Sequence, residues 1–297
     1  MKILPINRKR YLDAFQHRVL LAVKSWPQQF APFAYKRKET DTCVICNGIP
    51  KSGTYLIHKV VEYIDKWEDI KVHIGLSHWD LTQNTEEHII NNCLAKYAVK
   101  KLQNGQFIGA HFPWRRGIEM SMKDITSGRR IKHILIYRDP RDTFISSMNY
   151  VTHSNKNVGS NEAVKLKRFM LETFSNDDDR LTYIIEQERN QNFLEYIGWF
   201  NSSYCHAIRF EDIYLDIKNT RDGILGKTFL KLLEYLEVDP ASVDLSQFYS
   251  NVFCKGVTAS EVEDKIGQYK RVYKDQHYKL LDNPDFRNVL NRLGYQW

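Results

Sequence analysis

The sequence predicts an α/β fold with three layers, in which a central, mostly parallel sheet is flanked by helices. From Thr42 onward, short strand-like runs alternate with runs of helical periodicity, the pattern of parallel strands joined by crossover helices. The run "IKHILIY" (131–137) is too continuously apolar for a strand with one face in water, so it indicates a strand covered on both faces.

The composition favours a globular protein without a membrane span. The 297 residues are 42% hydrophobic and 13% aromatic, which supports a substantial core. The apolar runs are far shorter than the ~20 residues that a transmembrane helix needs, and "MKILPINRKR" is a poor secretory signal. An odd number of cysteines favours a reducing compartment, so we expect a cytoplasmic location. The cysteines are Cys43, Cys46, Cys93, Cys205 and Cys254.

The charge indicates an anionic ligand without identifying it. The formal net charge is +7, from 43 Lys and Arg against 36 Asp and Glu, although such an excess is also common on solvated surfaces. Basic clusters are scattered along the chain rather than aligned on one helix, which argues against nucleic acid. No carboxylate cluster indicates a metal site, and the CxxC of Cys43 and Cys46 places the two thiols on opposite faces of a strand.

The elements are expected in a simple order. Residues 1–40 predict an N-terminal helical arm, and residues 41–297 predict a single α/β domain. Helices are expected after residue 54, from Pro140, over 223–238 and before the final "LGYQW". The polar stretches 152–161 and 175–180 predict loops, with the second able to cap the helix it precedes, and 244–257 predicts irregular chain. The predicted strands are 42–46, 104–112, 131–137 and 205–210.

The stretch "GIPKSGT" (48–54) predicts a strand, a turn and a helix start. Backbone amides of Ser52, Gly53 and Thr54 at a helix N-terminus favour an anion, whose charge Lys51 would meet. In the nucleotide-triphosphate loop GxxxxGK[ST] the lysine follows the last glycine, whereas here it precedes that glycine. The motif therefore indicates either a phosphate site without an obvious metal or a purely structural turn.

Two further strand ends carry ligand-binding side chains. In "YRDPRDTFISS" (137–147), Asp139 and Pro140 predict a helix start, which leaves Arg138 and Ser146 available for a phosphate. The alternative is that Arg138 pairs with Asp142 and that Ser146 is a small packing residue. In "HFP" (111–113), His111 has an imidazole suited to taking a proton, although a lone histidine is more often structural.

These stretches together resemble the PAPS-dependent sulfotransferase family, whose donor is 3′-phosphoadenosine 5′-phosphosulfate (PAPS). The similarity runs in family order from about residue 42 to 270 and implies a P-loop-like α/β/α fold. The matching stretches are "PKSGT" (50–54), "HFP" (111–113), "YRDPRDTFISS" (137–147), "IRFEDIYLD" (208–216), and "CKG" (254–256) followed by "IGQYK" (266–270).

The resemblance implies transfer of a sulfuryl group to a small-molecule hydroxyl or amine, without a metal. His111 would be the general base and Lys51 the cation that stabilises the leaving phosphate. The remaining implied donor-binding residues are Ser52, Gly53, Thr54 and Tyr55 for the 5′-phosphosulfate, Arg138, Ser146, Lys255 and Gly256 for the 3′-phosphate, and Phe210.

Four positions depart from the family pattern. Leu56 stands where cytosolic members have a tryptophan that stacks on adenine, and Phe210, Cys254 and Gly109 replace a tyrosine, an arginine and a lysine. Because of these departures, one alternative is a protein of the same fold that binds PAP or PAPS but has lost catalytic activity. A small-molecule kinase is the other alternative, but its lysine would have to follow the glycine.

Overall fold

The computed structural model describes residues 40–75, 99–100, 102–123, 129–153, 161–189, 193–254 and 265–297. The arm predicted for residues 1–40 lies outside these ranges apart from its last residue. Within the described part of the chain, no helix is long and apolar enough to cross a membrane.

Among the described residues, five strands form one sheet in the order β2-β3-β1-β4-β5, and every neighbouring pair is parallel. This confirms the predicted fold class, with an all-parallel sheet in place of a mostly parallel one. The strands are β1 (Thr42–Gly48), β2 (Glu68–Gly75), β3 (Gln106–His111), β4 (Arg130–Tyr137) and β5 (Cys205–Arg209).

Helices follow the strands and cover both faces of the sheet. Segments of 3₁₀ helix lie at Leu194–Asn201, Thr220–Asp222 and Pro240–Ser242. The α-helices are α1 (Thr54–Ile64), α2 (Arg116–Met122), α3 (Pro140–Thr152), α4 (Asn161–Thr173), α5 (Asp177–Glu188), α6 (Phe210–Asn219), α7 (Lys227–Tyr235), α8 (Leu245–Tyr249), α9 (Tyr269–Val272), α10 (Asp275–Leu281) and α11 (Pro284–Arg292).

The two faces of β1 belong to two different hydrophobic clusters. Cys43 and Ile45 pack into one cluster, whereas Val44 and Cys46 pack into the other. Alternation with a period of two residues is what a strand covered on both faces requires. The thiols of the CxxC are therefore core residues, as predicted, and burial raises the pKa of Cys43 to about 12.

Three segments differ from the sequence-based expectation. Strand β2 was not predicted, because as an edge strand it carries polar residues and has no continuous apolar run. The stretch predicted to be irregular contains α8, which continues into a π-helix over Ser250–Cys254 because Phe248 and Val252 are buried in the core. The acidic stretch 175–180 caps α5 through Asn176, as predicted, but from Asp177 onward it is helix and not loop.

The strand order brings the chemically interesting strand ends together. β1 lies between β3 and β4, with Asn47 opposite Ala110 and Gly48 opposite Ile136. After β1 the chain forms β2 and then β3 on one side of β1, and next forms β4 on the other side, so the carboxyl end of β1 is a topological switch point. Open α/β sheets bind their ligands at such points.

Gly53 is required by its backbone and by its neighbour. Its φ is 97°, and a Cβ at this position would lie 2.5 Å from Cδ2 of Phe210. Gly223 has a similar φ of 75° but has nothing within 4 Å of the same position. Comparing substitutions at the two glycines therefore distinguishes the cost of a left-handed backbone, present at both, from the cost of a steric clash, present only at Gly53.

We predict that Gly53→Ala destabilises the protein more than the control Gly223→Ala. Left-handed backbone costs a non-glycine residue about 1–2 kcal/mol at both sites, and forced repacking of Phe210 adds about 1–3 kcal/mol at Gly53. Urea denaturation of each variant measures the free energy of unfolding. Equal losses at the two glycines would show that Phe210 gives way without cost.

Candidate active site

The loop between β1 and α1 forms a turn at the start of a helix, as the sequence predicted. Lys51 has a φ of 65°, and the amide of Ser52, which the sequence predicted to face an anion, donates instead to the carbonyl of Ile49 at 3.0 Å. Helix α1 begins at Thr54 with no side-chain cap and no acidic residue in its first turn. The hydroxyls of Ser52 and Thr54 are buried without a hydrogen-bond partner among the described residues. Such a set of donors at a helix N-terminus suits a phosphate or sulfate group.

Gly48 allows the strand and the helix to meet at this turn. A Cβ at residue 48 would lie only 2.1 Å from Oγ1 of Thr54, so a larger residue would push α1 away from β1. The turn is thus built from its own local residues, which is why the sequence alone predicted it.

Lys51 lies in a pocket that destabilises its charge. Its Nζ is 3.6 Å from the centre of the Tyr150 ring on α3. Burial lowers the pKa of Lys51 to about 8; Glu188 opposes this shift, and Arg138 adds to it. The ammonium is therefore poised to gain from an added negative charge, which a phosphate would supply.

Glu188, the last residue of α5, is a titratable group near Lys51 that sequence analysis missed. Burial raises the pKa of its carboxyl to about 7, against the effects of a hydrogen bond with Ser147 and the charge of Lys51. Its Oε1 is buried without a hydrogen-bond partner in the described part of the molecule. No local sequence pattern could have revealed it, because α5 reaches the site only through the packing of α5 on α3.

His111 ends β3 beside the same turn. Its Nδ1 lies 2.7 Å from the carbonyl oxygen of Gly48. Because a carbonyl only accepts, Nδ1 carries the proton in this contact, which leaves Nε2 with the lone pair. The neutral ring is then oriented as a general base with Nε2 as the basic atom.

Arg138 follows β4 and is almost fully buried. Its guanidinium stacks 4.6 Å from the ring centre of Phe210, lies 3.5 Å from Oδ2 of Asp142, and donates to the carbonyl of Lys265. The pairing with Asp142 is the alternative that the sequence left open, and it is present. The Nε of Arg138 is nevertheless buried without a partner among the described residues, so the guanidinium keeps hydrogen-bonding capacity.

A second cation, Lys265, reaches Arg138 from the C-terminal part of the chain. Asp142 accepts hydrogen bonds from the amides of Gly267 (2.7 Å) and Tyr269 (3.1 Å), which holds this segment against α3. Burial, and next the charge of Arg138, lowers the pKa of Lys265 to about 8. Sequence analysis noticed "IGQYK" but not the lysine just before it, whose proximity to Arg138 is purely tertiary.

The other predicted donor-binding residues have varied surroundings. Phe210 is buried between Gly53 and Arg138, where it contacts both stretches that the sequence predicted to bind phosphate. Tyr55 is 61% exposed on α1, whereas Leu56 packs into the core. Ser146 is half-buried on α3. The predicted residues Lys255 and Gly256 lie outside the described residues.

A sequence model of the sulfotransferase domain matches residues 41–243, which is more than half of the chain. The chain belongs to the sulfotransferase domain family. This agrees with the resemblance found in the sequence, and it places β1 to β5 and the three functional strand ends inside the matched region of this sulfotransferase.

Several solved structures are similar over most of their length. Mouse sulfotransferase SULT7A1 complexed with PAP matches at a TM-score of 0.44 and 15% identity, over 89% of this chain and 88% of that chain. Retinol dehydratase in complex with androsterone and the inactive cofactor PAP matches at a TM-score of 0.48 and 13% identity, over 91% and 88%. A structure from the PezAT toxin-antitoxin system of Streptococcus pneumoniae matches at a TM-score of 0.38 and 10% identity, over 91% and 97%. No curated protein sequence matches significantly, so family membership rests on the domain model.

We predict that Glu188 makes the stability of this sulfotransferase depend on pH. A folded-state pKa of about 7, raised from 4.5, gives stability that is present below pH 4.5 and lost as the pH rises through 7. The stability of the wild type relative to Glu188→Gln should therefore fall, on the order of 2 kcal/mol, from pH 4.5 to 7.5. Chemical denaturation across this range measures the difference.

The matched control is Glu186→Gln, which removes an exposed carboxylate from the same helix. A constant difference between wild type and Glu188→Gln across the range would show that Glu188 ionises in the fold as it does in the unfolded chain.

Proposed function

We propose that this sulfotransferase moves a sulfuryl group from PAPS to a hydroxyl or amine of a small molecule. The observation that carries the proposal is the meeting of Lys51, His111 and Arg138 at the carboxyl edge of one sheet, in a member of the sulfotransferase domain family. An oriented base on β3, a cation after the adjacent strand β1 and a second cation after β4 are what such a transfer requires.

The residues present fit the two anionic ends of PAPS. The buried hydroxyls of Ser52 and Thr54, the start of α1 and Lys51 would hold the 5′-phosphosulfate. Arg138 has a buried Nε without a partner in the described chain, and it would hold the 3′-phosphate together with Lys265. Five further donor contacts are proposed from the family resemblance alone. They are Tyr55 and Phe210, together with Ser146, Lys255 and Gly256 at the 3′-phosphate.

The proposed reaction is one in-line displacement. His111 takes the acceptor proton at Nε2 while the acceptor oxygen or nitrogen forms a bond to sulfur. The bond from sulfur to the bridging phosphate oxygen breaks, and its electron pair stays on that oxygen, so PAP leaves with the added negative charge. Lys51 stabilises this charge, because its ammonium lies in surroundings that disfavour an unpaired positive charge.

Donor recognition is tested by calorimetry with PAP, AMP and ATP, without added magnesium. We expect tight binding of PAP alone, because only PAP carries the 3′-phosphate. Arg138→Lys should weaken PAP binding about tenfold or more, which corresponds to ~1.4 kcal/mol, and should change AMP binding much less.

Arg130→Lys is the matched control, because Arg130 begins the same strand at its opposite end and is exposed. Equal binding of PAP and AMP by the wild type would contradict the proposed donor. Equal weakening of both ligands in Arg138→Lys would remove Arg138 from the 3′-phosphate site.

Catalysis is tested with His111→Gln and labelled PAPS, using an acceptor found among simple phenols, alcohols and amines. Loss of the general base should lower kcat by about 10²–10⁴-fold, while the Kd for PAP stays nearly unchanged. His206→Gln, which changes a half-buried histidine on β5, should keep the wild-type rate. Loss of both the rate and PAP binding in His111→Gln would instead make His111 structural.

A further inference from the structure

Gly109 leaves bare backbone beside His111, and other side chains occupy the space above it. A Cβ at residue 109 would lie 2.8 Å from Nδ1 of His73 and 3.4 Å from Cδ2 of His58. His73 lies on β2 directly opposite Gly109, and His58 comes from α1. The absence of a side chain at residue 109 thus lets His73 reach the proposed base, with His58 beside the same gap.

His73 lies near two further polar side chains, those of His58 and Asp69. The Nε2 of His58 lies 3.5 Å from Oδ2 of the buried Asp69, and His58 also packs edge-on against Phe107. His58, His73 and Asp69 therefore form a polar row along the edge of the sheet next to His111.

His73 presents a neutral imidazole beside the base. Its ring meets that of His111 edge to face, with 4.7 Å between the ring centres, and the residue is exposed to solvent. Partial burial of the ring against the sheet lowers the pKa of His73; the charge of His58 adds to this shift, and Asp69 opposes it. A neutral imidazole retains one nitrogen lone pair and can accept a hydrogen bond.

We propose that His73 is a second acceptor-binding residue, which accepts a hydrogen bond from a polar group next to the reacting hydroxyl while His111 takes the proton of that hydroxyl. Two neighbouring imidazoles on one side of the site match an acceptor with two adjacent hydroxyls. The inference rests on the proposed function and deepens it, because it names the acceptor class of the same site.

The test uses matched pairs of acceptors with labelled PAPS. Catechol and hydroquinone each carry two hydroxyls on one ring, but only in catechol are they adjacent; cis-1,2- and cis-1,4-cyclohexanediol form the aliphatic pair. We expect wild-type kcat/KM to be at least about tenfold higher for the adjacent member of a pair, the gain from one additional hydrogen bond worth ~1.4 kcal/mol.

His73→Phe keeps a ring against His111 but lacks the nitrogens. It should remove the preference for adjacent hydroxyls, mainly by raising the KM of the adjacent diol relative to that of the separated diol, and leave the Kd for PAP near its wild-type value. His73→Gln, which restores a hydrogen-bond acceptor, should recover part of the preference.

The outcomes distinguish this inference from the proposed function. If PAP does not bind and no acceptor is sulfated, the proposed function itself fails. If PAP binds and transfer occurs without a preference, or if the preference survives in His73→Phe, His73 does not bind the acceptor. Binding of PAP without sulfation of either pair also overturns the proposed acceptor class.

Discussion

The geometry of the site depends on one buried side chain, the amide of Asn47 near the end of β1. Its Nδ2 donates to the carbonyl of Phe112 at 3.0 Å, and its Oδ1 accepts from the amides of Phe112 and Gly48 at 2.7 and 2.9 Å. The backbone ladder between β1 and β3 pairs Asn47 with Ala110 and goes no further. Beyond this pair, the amide takes over the role of the ladder and keeps His111 against the carbonyl of Gly48 while the two strands separate.

Near the hydrogen bonds of Asn47, the charges of buried cations are partly balanced by nearby carboxylates. Lys51 lies near the carboxylate of Glu188, and Arg138 lies near that of Asp142. A second cation, Lys265, also lies near Arg138, so the positive charge there is only partly balanced. Burying charges is expensive unless they are paired. Cations with such surroundings and with lowered lysine pKa values are suited to an added anion, which agrees with the proposed donor and its two phosphate groups.

The structure shows the surroundings of three positions that depart from the family pattern: Phe210, Leu56 and Gly109. Phe210 supports both Gly53 and the guanidinium of Arg138 from a buried position, a role that needs a ring but no hydroxyl. Leu56 belongs to the core under α1. Gly109 makes space for His73 and His58, so the surface beside His111 is built from β2 and α1 instead of from β3 itself.

The sequence by itself determined the features that arise from neighbouring residues: the turn at Gly48 and Gly53, the helix start at Asp139 and Pro140, and the strand ends that carry Lys51, His111 and Arg138. Backbone conformation, helix capping and hydrophobic alternation depend on residues close together in the chain, so a short stretch of sequence is enough to predict them. Only the tertiary structure brought Lys265 to Arg138 across 127 residues, placed Glu188 near Lys51, and added the edge strand with His73. These contacts follow from strand order and helix packing, which depend on burial summed over the whole domain and leave no signature in any short stretch.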